Sequence, residues 1–500
     1  MFQFYRIFFV ALALVSTSTA ATAQEDARGG FVGALSDGIF ALGDFVFSTI
    51  NMFGFEVEWI VAFLALPMIL LTFYFGFINV TSFKRAWRII RGFYHNEDDP
   101  GEVSQFQALT TALSGTVGLG NIAGVAVAIS VGGPGATFWM ILIGFCAMSL
   151  KFAECTLGVK YRDIHENGTI SGGPMYYLER GLAAKGWGKF GKALAWTYAI
   201  LAVPTLLQIA QVNQSFEAIS VVTGLDSNGA KWGFGVIVAA LTAVVIIGGI
   251  KSIGSVTAKL VPTMAGLYIT GALVIILGNA SAVPAAFITI FSSALSLDAG
   301  IGGMIGVIII SMQRAVYSTE AGLGSATMAH AAAKTREPVS EGMVALMEPF
   351  IDTVVVSTMT ALVIVITGIY ADNSGMAGIS MTSAAFGSVI SWFPWVLAIA
   401  AFLFAYSTII SWGYYSSRVW EFVFGGTQTS MTTFKVVFCL ALIPGAVFSV
   451  DEVYSLMDSM FFLMAVPNII GIYLMAPELK RDLKSYLARL RSGEISATNG

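Results

Sequence analysis

The chain is poor in charge. Only 11% of its 500 residues are Asp, Glu, Lys or Arg while 56% are hydrophobic, against roughly a quarter charged in soluble domains, which excludes an ordinary soluble enzyme. A formal net charge of −4 is too small to argue for a nucleic-acid or an acidic partner, and where the charges sit matters more than their sum. Cysteine is scarce: Cys146, Cys155 and Cys439 lie in or beside apolar stretches without zinc or haem spacing and read as packing residues. His95, His165 and His330 are scattered near expected loops, so no metal cluster is visible. The apolar stretches hold no Ser/His/Asp, His/Glu/His or Cys/His set and no repeated acidic or carbonyl rings, which argues against a membrane-embedded enzyme or a channel.

What is present is apolar length. Stretches long enough to cross a bilayer, about 20 residues, lie at 59–79, 104–131, 134–158, 194–221, 232–250, 257–280, 299–333, 343–370, 393–420, 432–450 and 454–477. These eleven spans describe an all-α polytopic membrane protein. Segments 284–295 and 380–389 are too short to cross and read as interfacial helices on the outer side. Arg6, the apolar run Ile7 to Val15 and Ala21-Thr22-Ala23 make residues 1–23 a cleavable secretory signal, the alternative being an uncleaved anchor helix.

Lys and Arg gather on the cytoplasmic side of membrane proteins. Here Lys84, Arg85, Arg88 and Arg91 precede the span at 104–131, Lys160, Arg162, Lys185, Lys189 and Lys192 follow the next, and Lys480, Arg481, Lys484, Arg489 and Arg491 close the chain. Opposite loops carry Asp226, Asp298, Asp372, Asp451 and Glu452 with little besides Arg28 and Lys231. The expected location is a bacterial inner membrane, with the N-terminus outside after signal cleavage and the C-terminus cytoplasmic.

Residues 103–132 contain no charged side chain, yet Gly115, Gly118, Gly120 and Gly124 stand in the middle with Asn121. That is a span built to break. Unwound backbone at membrane depth is tolerated only where protein buries it or where it lines a cavity, so the break marks a ligand site. The amides of Leu119, Gly120 and Asn121 open a new half-helix whose positive end suits a carboxylate, and the carbonyls from Ser114 to Val117 suit a cation. Gly120 and Gly124 also form a small-xxx-small packing face. A nucleotide-binding fingerprint is excluded because no strand precedes the glycines.

The motif Gly118-Leu119-Gly120-Asn121 recurs as Gly322-Leu323-Gly324-Ser325, and four more spans follow each copy. Five spans is an odd number, so the second unit must lie inverted relative to the first. The expected division is 1–23 signal; 24–103 outer N-terminus, one extra helix and a cytoplasmic loop; 104–280 first repeat; 299–477 second repeat; 478–500 tail. A 5+5 inverted repeat with one broken helix in each half is the plan of a secondary transporter. The carbonyls near Tyr317 and Ser318 could then accept a substrate ammonium.

Four blocks carry a family resemblance: GTVGLGNIAGVAVAISVGGPGATFWM (115–140), SGGPMYY (171–177), STEAGLGSATMAHAAAKT (318–335) and FAYSTIISWGYY (404–415). With them the chain resembles the alanine or glycine:cation symporter family, also called the sodium:alanine symporter family. That resemblance implies the inverted-repeat fold of neurotransmitter:sodium symporters and Na⁺-coupled import of alanine or glycine. By implication Ser114 and Val117 carbonyls with Ser407 and Thr408 hydroxyls hold one Na⁺, and Thr116, Asn121 and Ser318 lie near a second. Thr116, Leu119, Gly120, Asn121, Gln211, Tyr317, Ser318, Glu320 and Trp412 make up the expected substrate site, with Trp412 as the wall of the side-chain pocket. The chain departs from the family at Thr319, where Asn is usual.

Arg314, Glu320, Glu348 and Asp352 lie inside expected spans, where charge is costly and normally functional or paired. A pair of Arg314 with Glu320 or Glu348 is the structural account of three of them. Asp352 lies about 15 Å along its span at 1.5 Å per residue and is the coupling candidate. The expected coupling ion is Na⁺, with no organic cofactor; the alternative keeps the fold and uses protons carried by Asp352 or Glu320. Expected partners are a small neutral amino acid and membrane lipid, and the sequence says nothing of oligomeric state.

Overall fold

The computed structural model describes residues 31–495 apart from 53, 119, 207, 297–299, 372–375, 377 and 448–450. The expected signal at 1–23 and the expected site residue Leu119 lie outside the described residues. The chain is mostly helical, with a small antiparallel hairpin, Thr49–Met52 against Phe55–Glu58, and a short pairing of Asp163–Ile164 with Ile170–Ser171.

Among the described residues seven helices are long and apolar enough to cross a membrane, and the pair Gln105–Thr116 and Gly120–Gly132, bent by 55°, makes an eighth. The expected spans at 59–79, 194–221 and 299–333 appear as shorter or interrupted helices. Trp59–Tyr74 and Gly300–Thr319 are single pieces. Residues 194–221, expected as one span, divide into Gly188–Ala202 and Ile209–Thr223 around a tight turn at Pro204–Leu206; Pro204 has no N–H to continue the helix. At the other end Ala465–Ser492 runs unbroken past 477, where the tail was expected to begin. Segments Val283–Ala294 and Gly378–Gly387 are short helices.

The first broken helix starts cleanly because Ser104 and Gln107 form a reciprocal cap: Gln107 N donates to Ser104 Oγ at 3.2 Å and Ser104 N to Gln107 Oε1 at 3.0 Å. The innermost element is Ala136–Lys160, on which Trp59–Tyr74, Gly300–Thr319 and Pro338–Ala345 pack. Phe393–Phe424 is the second long buried element and packs on Gln105–Thr116, Ile209–Thr223 and Gly249–Gly278.

One end of the bundle is tied shut through backbone. Arg162 Nη1 donates to the carbonyls of Ala331 and Ala333 and Nη2 to those of Pro100 and Thr335, each at 2.7 Å. Glu102 N donates to Ala332 O and Lys334 N to Val103 O, both at 2.8 Å. The start of the first broken helix is thereby fastened to the segment that follows the second.

Small residues let the inner helices approach. A Cβ at Gly342 would meet the Thr156 hydroxyl and stand 2.8 Å from Phe152 O, whereas one at Gly266 would meet nothing within 4 Å. Gly342→Ala should therefore lower the thermal unfolding midpoint in detergent, at the overpacking cost of about 1–3 kcal/mol, and Gly266→Ala should leave it unchanged or raise it. Equal midpoints for the two variants would contradict this packing.

Candidate functional site

The first break begins where Val117 leaves helical geometry at φ −70°, ψ 103°, and the chain resumes as a wide helical turn over Gly120–Gly124. Several of its freed polar groups find partners among the described residues. Gly118 N donates to Asn121 Oδ1 at 2.9 Å, and Asn121 N to Gly118 O at 3.2 Å. Asn121 O accepts from Thr360 Oγ1 and Ile122 O from Thr382 Oγ1, both at 3.0 Å. Of the amides expected to face a carboxylate, Asn121 N is taken up by its own turn in this state.

Before the break, Ser114 O accepts from Ser407 Oγ at 3.2 Å and from Thr408 Oγ1 at 3.1 Å. Three of the four residues expected around one ion are in contact, and Val117 is fully buried at the break beside them. The Ser114 and Ser411 hydroxyls also meet. This cluster joins the first broken helix to Phe393–Phe424.

A second cluster surrounds Asn121. Its Nδ2 lies 2.7 Å from Asp352 Oδ1 and 2.9 Å from Ser318 Oγ, with Asp352 O at 3.1 Å and Ser357 Oγ at 3.3 Å. An amide nitrogen has two hydrogens, so the two shortest contacts are the natural pair. Asp352 Oδ2 accepts from Ser318 Oγ at 2.6 Å and Thr353 Oγ1 at 2.8 Å. Asn121, Ser318 and Asp352 therefore form a closed triangle joining both broken helices to the wide helical turn Phe350–Ser357. Thr116, expected near a second ion, turns its hydroxyl back to Ala112 O and Leu113 O at 3.4 and 3.5 Å; only its carbonyl is available to that role.

The second break follows Gly300–Thr319. Glu320 adopts φ 49°, rare for a residue with a side chain, and Gly322 and Gly324 adopt φ 97° and 77°. Glu320 Oε2 accepts from Ser325 Oγ at 2.8 Å. Gly120, Gln211, Tyr317, Glu320 and Trp412 line one cavity of about 500 Å³. Trp412 is 4% exposed there, its ring 5.6 Å from that of Phe461.

Several groups depart from expectation. Glu348 pairs with Lys151 at 2.8 Å, both fully buried, and not with Arg314; Arg314 lines the cavity instead. His330 lies beside a loop, as expected, and is fully buried there, with Nδ1 2.6 Å from Glu341 Oε1. Gln208, Gln214, Glu217 and Asp458 also line the cavity and were not foreseen. Gln208, Gln211, Gln214 and Glu217 recur every third residue on one helical face, a spacing that could have revealed them.

The model of the sodium:alanine symporter family matches residues 41–499. The chain is 39% identical over 422 residues to the sodium/alanine symporter AgcS of Methanococcus maripaludis, covering 84% of this chain and 92% of that one. It is 32% identical over 428 residues to the amino-acid carrier protein AlsT of Bacillus subtilis, with 84% and 88% covered. Among solved structures, MhsT in complex with L-phenylalanine superposes with a TM-score of 0.51 at 17% identity over 75% of this chain and 89% of that one, a likeness of fold. The chain belongs to the sodium:alanine symporter family, multi-pass membrane transporters and not enzymes.

Proposed function

We propose that the chain is a Na⁺-coupled symporter that imports small neutral amino acids, alanine and glycine, across the bacterial inner membrane by alternating access. The contact of Ser407 and Thr408 with Ser114 O carries the reading. Each hydroxyl has one hydrogen but stands within bonding distance of two carbonyls, Ser114 O and Phe404 O, the latter at 2.8 and 3.0 Å. Turning both hydrogens to Phe404 O leaves two hydroxyl oxygens and the Ser114 carbonyl free for a hard cation. Na⁺ then bonds the first broken helix to Phe393–Phe424, which lies in the other repeat. The cavity beside it accepts a zwitterion, with Trp412 bounding its side chain and Tyr317 to Glu320 facing its ammonium.

The eleven-span, 5+5 inverted arrangement is part of this reading, with residues 104–280 and 299–477 as repeats. Its expected orientation puts Gln214, Glu217 and Asp458 toward the outside and the Arg162 ties toward the cytoplasm. The cavity with the closed opposite end then corresponds to an outward-facing state. Transport requires the Arg162 ties to open as the outer end closes.

Thr408→Val keeps the side-chain shape and removes one oxygen. In proteoliposomes the half-saturating Na⁺ concentration for alanine uptake should rise several-fold, while alanine affinity at saturating Na⁺ changes much less. An unaltered Na⁺ dependence would show that this helix pair does not hold the coupling ion.

Proton coupling has one observation in its favour, the fully buried carboxyl of Asp352 between the two broken helices. Asp352→Asn keeps an oxygen and removes the titrating group. Under sodium coupling the variant should retain uptake driven by a Na⁺ gradient at uniform pH. Wild-type uptake driven by a pH gradient without Na⁺, and lost in the variant, would select protons.

A further inference from the structure

We propose that Glu154 is a positioning residue for transport: its carboxylate holds the second helix break, from Glu320 to Ser325, in the left-handed backbone that shapes one wall of the cavity. Its consequence for transport rests on the symport reading above; the geometry does not.

Backbone N–H groups freed in a break need acceptors, and left-handed residues at every second position, here Glu320, Gly322 and Gly324, turn them into one concave face that suits an anion. Gly322 N and Gly324 N converge on Glu154 Oε1 at 2.9 and 3.1 Å. Asn468 Nδ2 reaches the same oxygen at 2.7 Å and also Gly322 O at 2.7 Å. Asn468 Oδ1 in turn accepts from Tyr177 OH. Tyr198 OH donates to Leu323 O at 2.9 Å. Glu154, Asn468, Tyr177 and Tyr198 are all fully buried.

Glu154 does not line the cavity, so substrate contact does not explain it, and among the described residues its Oε2 has no hydrogen-bond partner. The group that faces the cavity is Glu320, at the start of the segment Glu154 holds. Neither glycine can be replaced to rigidify the turn otherwise, because both have positive φ and a Cβ at Gly324 would stand 3.2 Å from Asn468 Nδ2. Glu154 stands one turn beyond Lys151, whose Nζ is 2.8 Å from Glu348 Oε1, and Glu348 precedes Asp352 by one turn. The helix that fixes the second break is thereby linked to the residue that holds the first.

The test uses the full-length protein in lipid nanodiscs, comparing wild type with Glu154→Leu, Glu154→Gln and Asn468→Leu. Hydrogen–deuterium exchange is read on peptides spanning 316–328, and labelled alanine binding at saturating Na⁺ is read alongside. In Glu154→Leu the amides of this segment should exchange about tenfold faster, the scale of a lost charge-assisted hydrogen bond, and alanine affinity should fall by a similar factor. Peptides from Gln105–Thr116 and Phe393–Phe424 should keep wild-type exchange. Glu154→Gln retains one acceptor oxygen and should recover most of the protection and affinity; Asn468→Leu should give a weaker version of the same local signature, which decides the matter if Glu154→Leu is not recovered folded. Wild-type exchange at 316–328 in these variants, or acceleration spread evenly over all helices, would overturn the proposal. Local acceleration in a protein whose wild type binds no alanine would leave the clamp standing and remove the symport reading.

Discussion

A helix that stops inside a membrane must give the free N–H and C=O groups it does not turn toward a cavity to partners in the protein, because hydrocarbon takes none and each unpaired group costs on the order of several kcal/mol. The rest of this structure follows from that constraint, applied twice. At the first break Asn121 from within and Thr360 and Thr382 from outside take up Gly118 N, Asn121 O and Ile122 O. The second is satisfied by Glu154, Asn468 and Tyr198. The side chains that meet these needs come from helices remote in sequence, so satisfying the backbone also decides which helices are bound to one another.

The two breaks are treated differently, and the difference suits an alternating mechanism. The second is bracketed by a carboxylate, an amide and a tyrosine, all fully buried. Near the first, the Ser114 carbonyl is contacted by two hydroxyls, whose hydrogens can turn away without any chain movement. A strong bracket fixes one wall of the cavity and an exchangeable contact leaves room for an ion. On the proposed reading an ion at that contact would strengthen the link between the first broken helix and Phe393–Phe424, which is how an ion can bias a two-state equilibrium.

Much of this was readable from sequence. The breaks are legible because glycines cluster at 115–124 and 322–324 inside stretches with almost no charge, and Asn121 and Ser318 follow from their positions at those breaks. Ser407 and Thr408 have no local signal of their own and come from the family resemblance alone. The partners of charged residues were not legible. Lys151 and Glu154 are visible as charges in an apolar span, but Glu348 lies 197 positions from Lys151 and Asn468 lies 314 from Glu154, and no pattern in one sequence connects them. The pairing of Arg314 with Glu348 failed for that reason: Lys151, fully buried on the facing helix, takes the carboxylate first. The burial of His330 has no sequence signal: it lies beside a loop, yet the short helix Thr327–Ala331 after the second break folds inward onto Glu341.

On the proposed reading one ion and one amino acid share a single binding equilibrium. Linkage makes the effect reciprocal. Titration calorimetry on the purified protein, with choline replacing Na⁺, measures both directions: alanine affinity with and without Na⁺, and Na⁺ affinity with and without alanine. Sodium coupling predicts that each ligand strengthens the other by the same factor at constant pH. Alanine binding that is indifferent to Na⁺ and follows pH instead would contradict it.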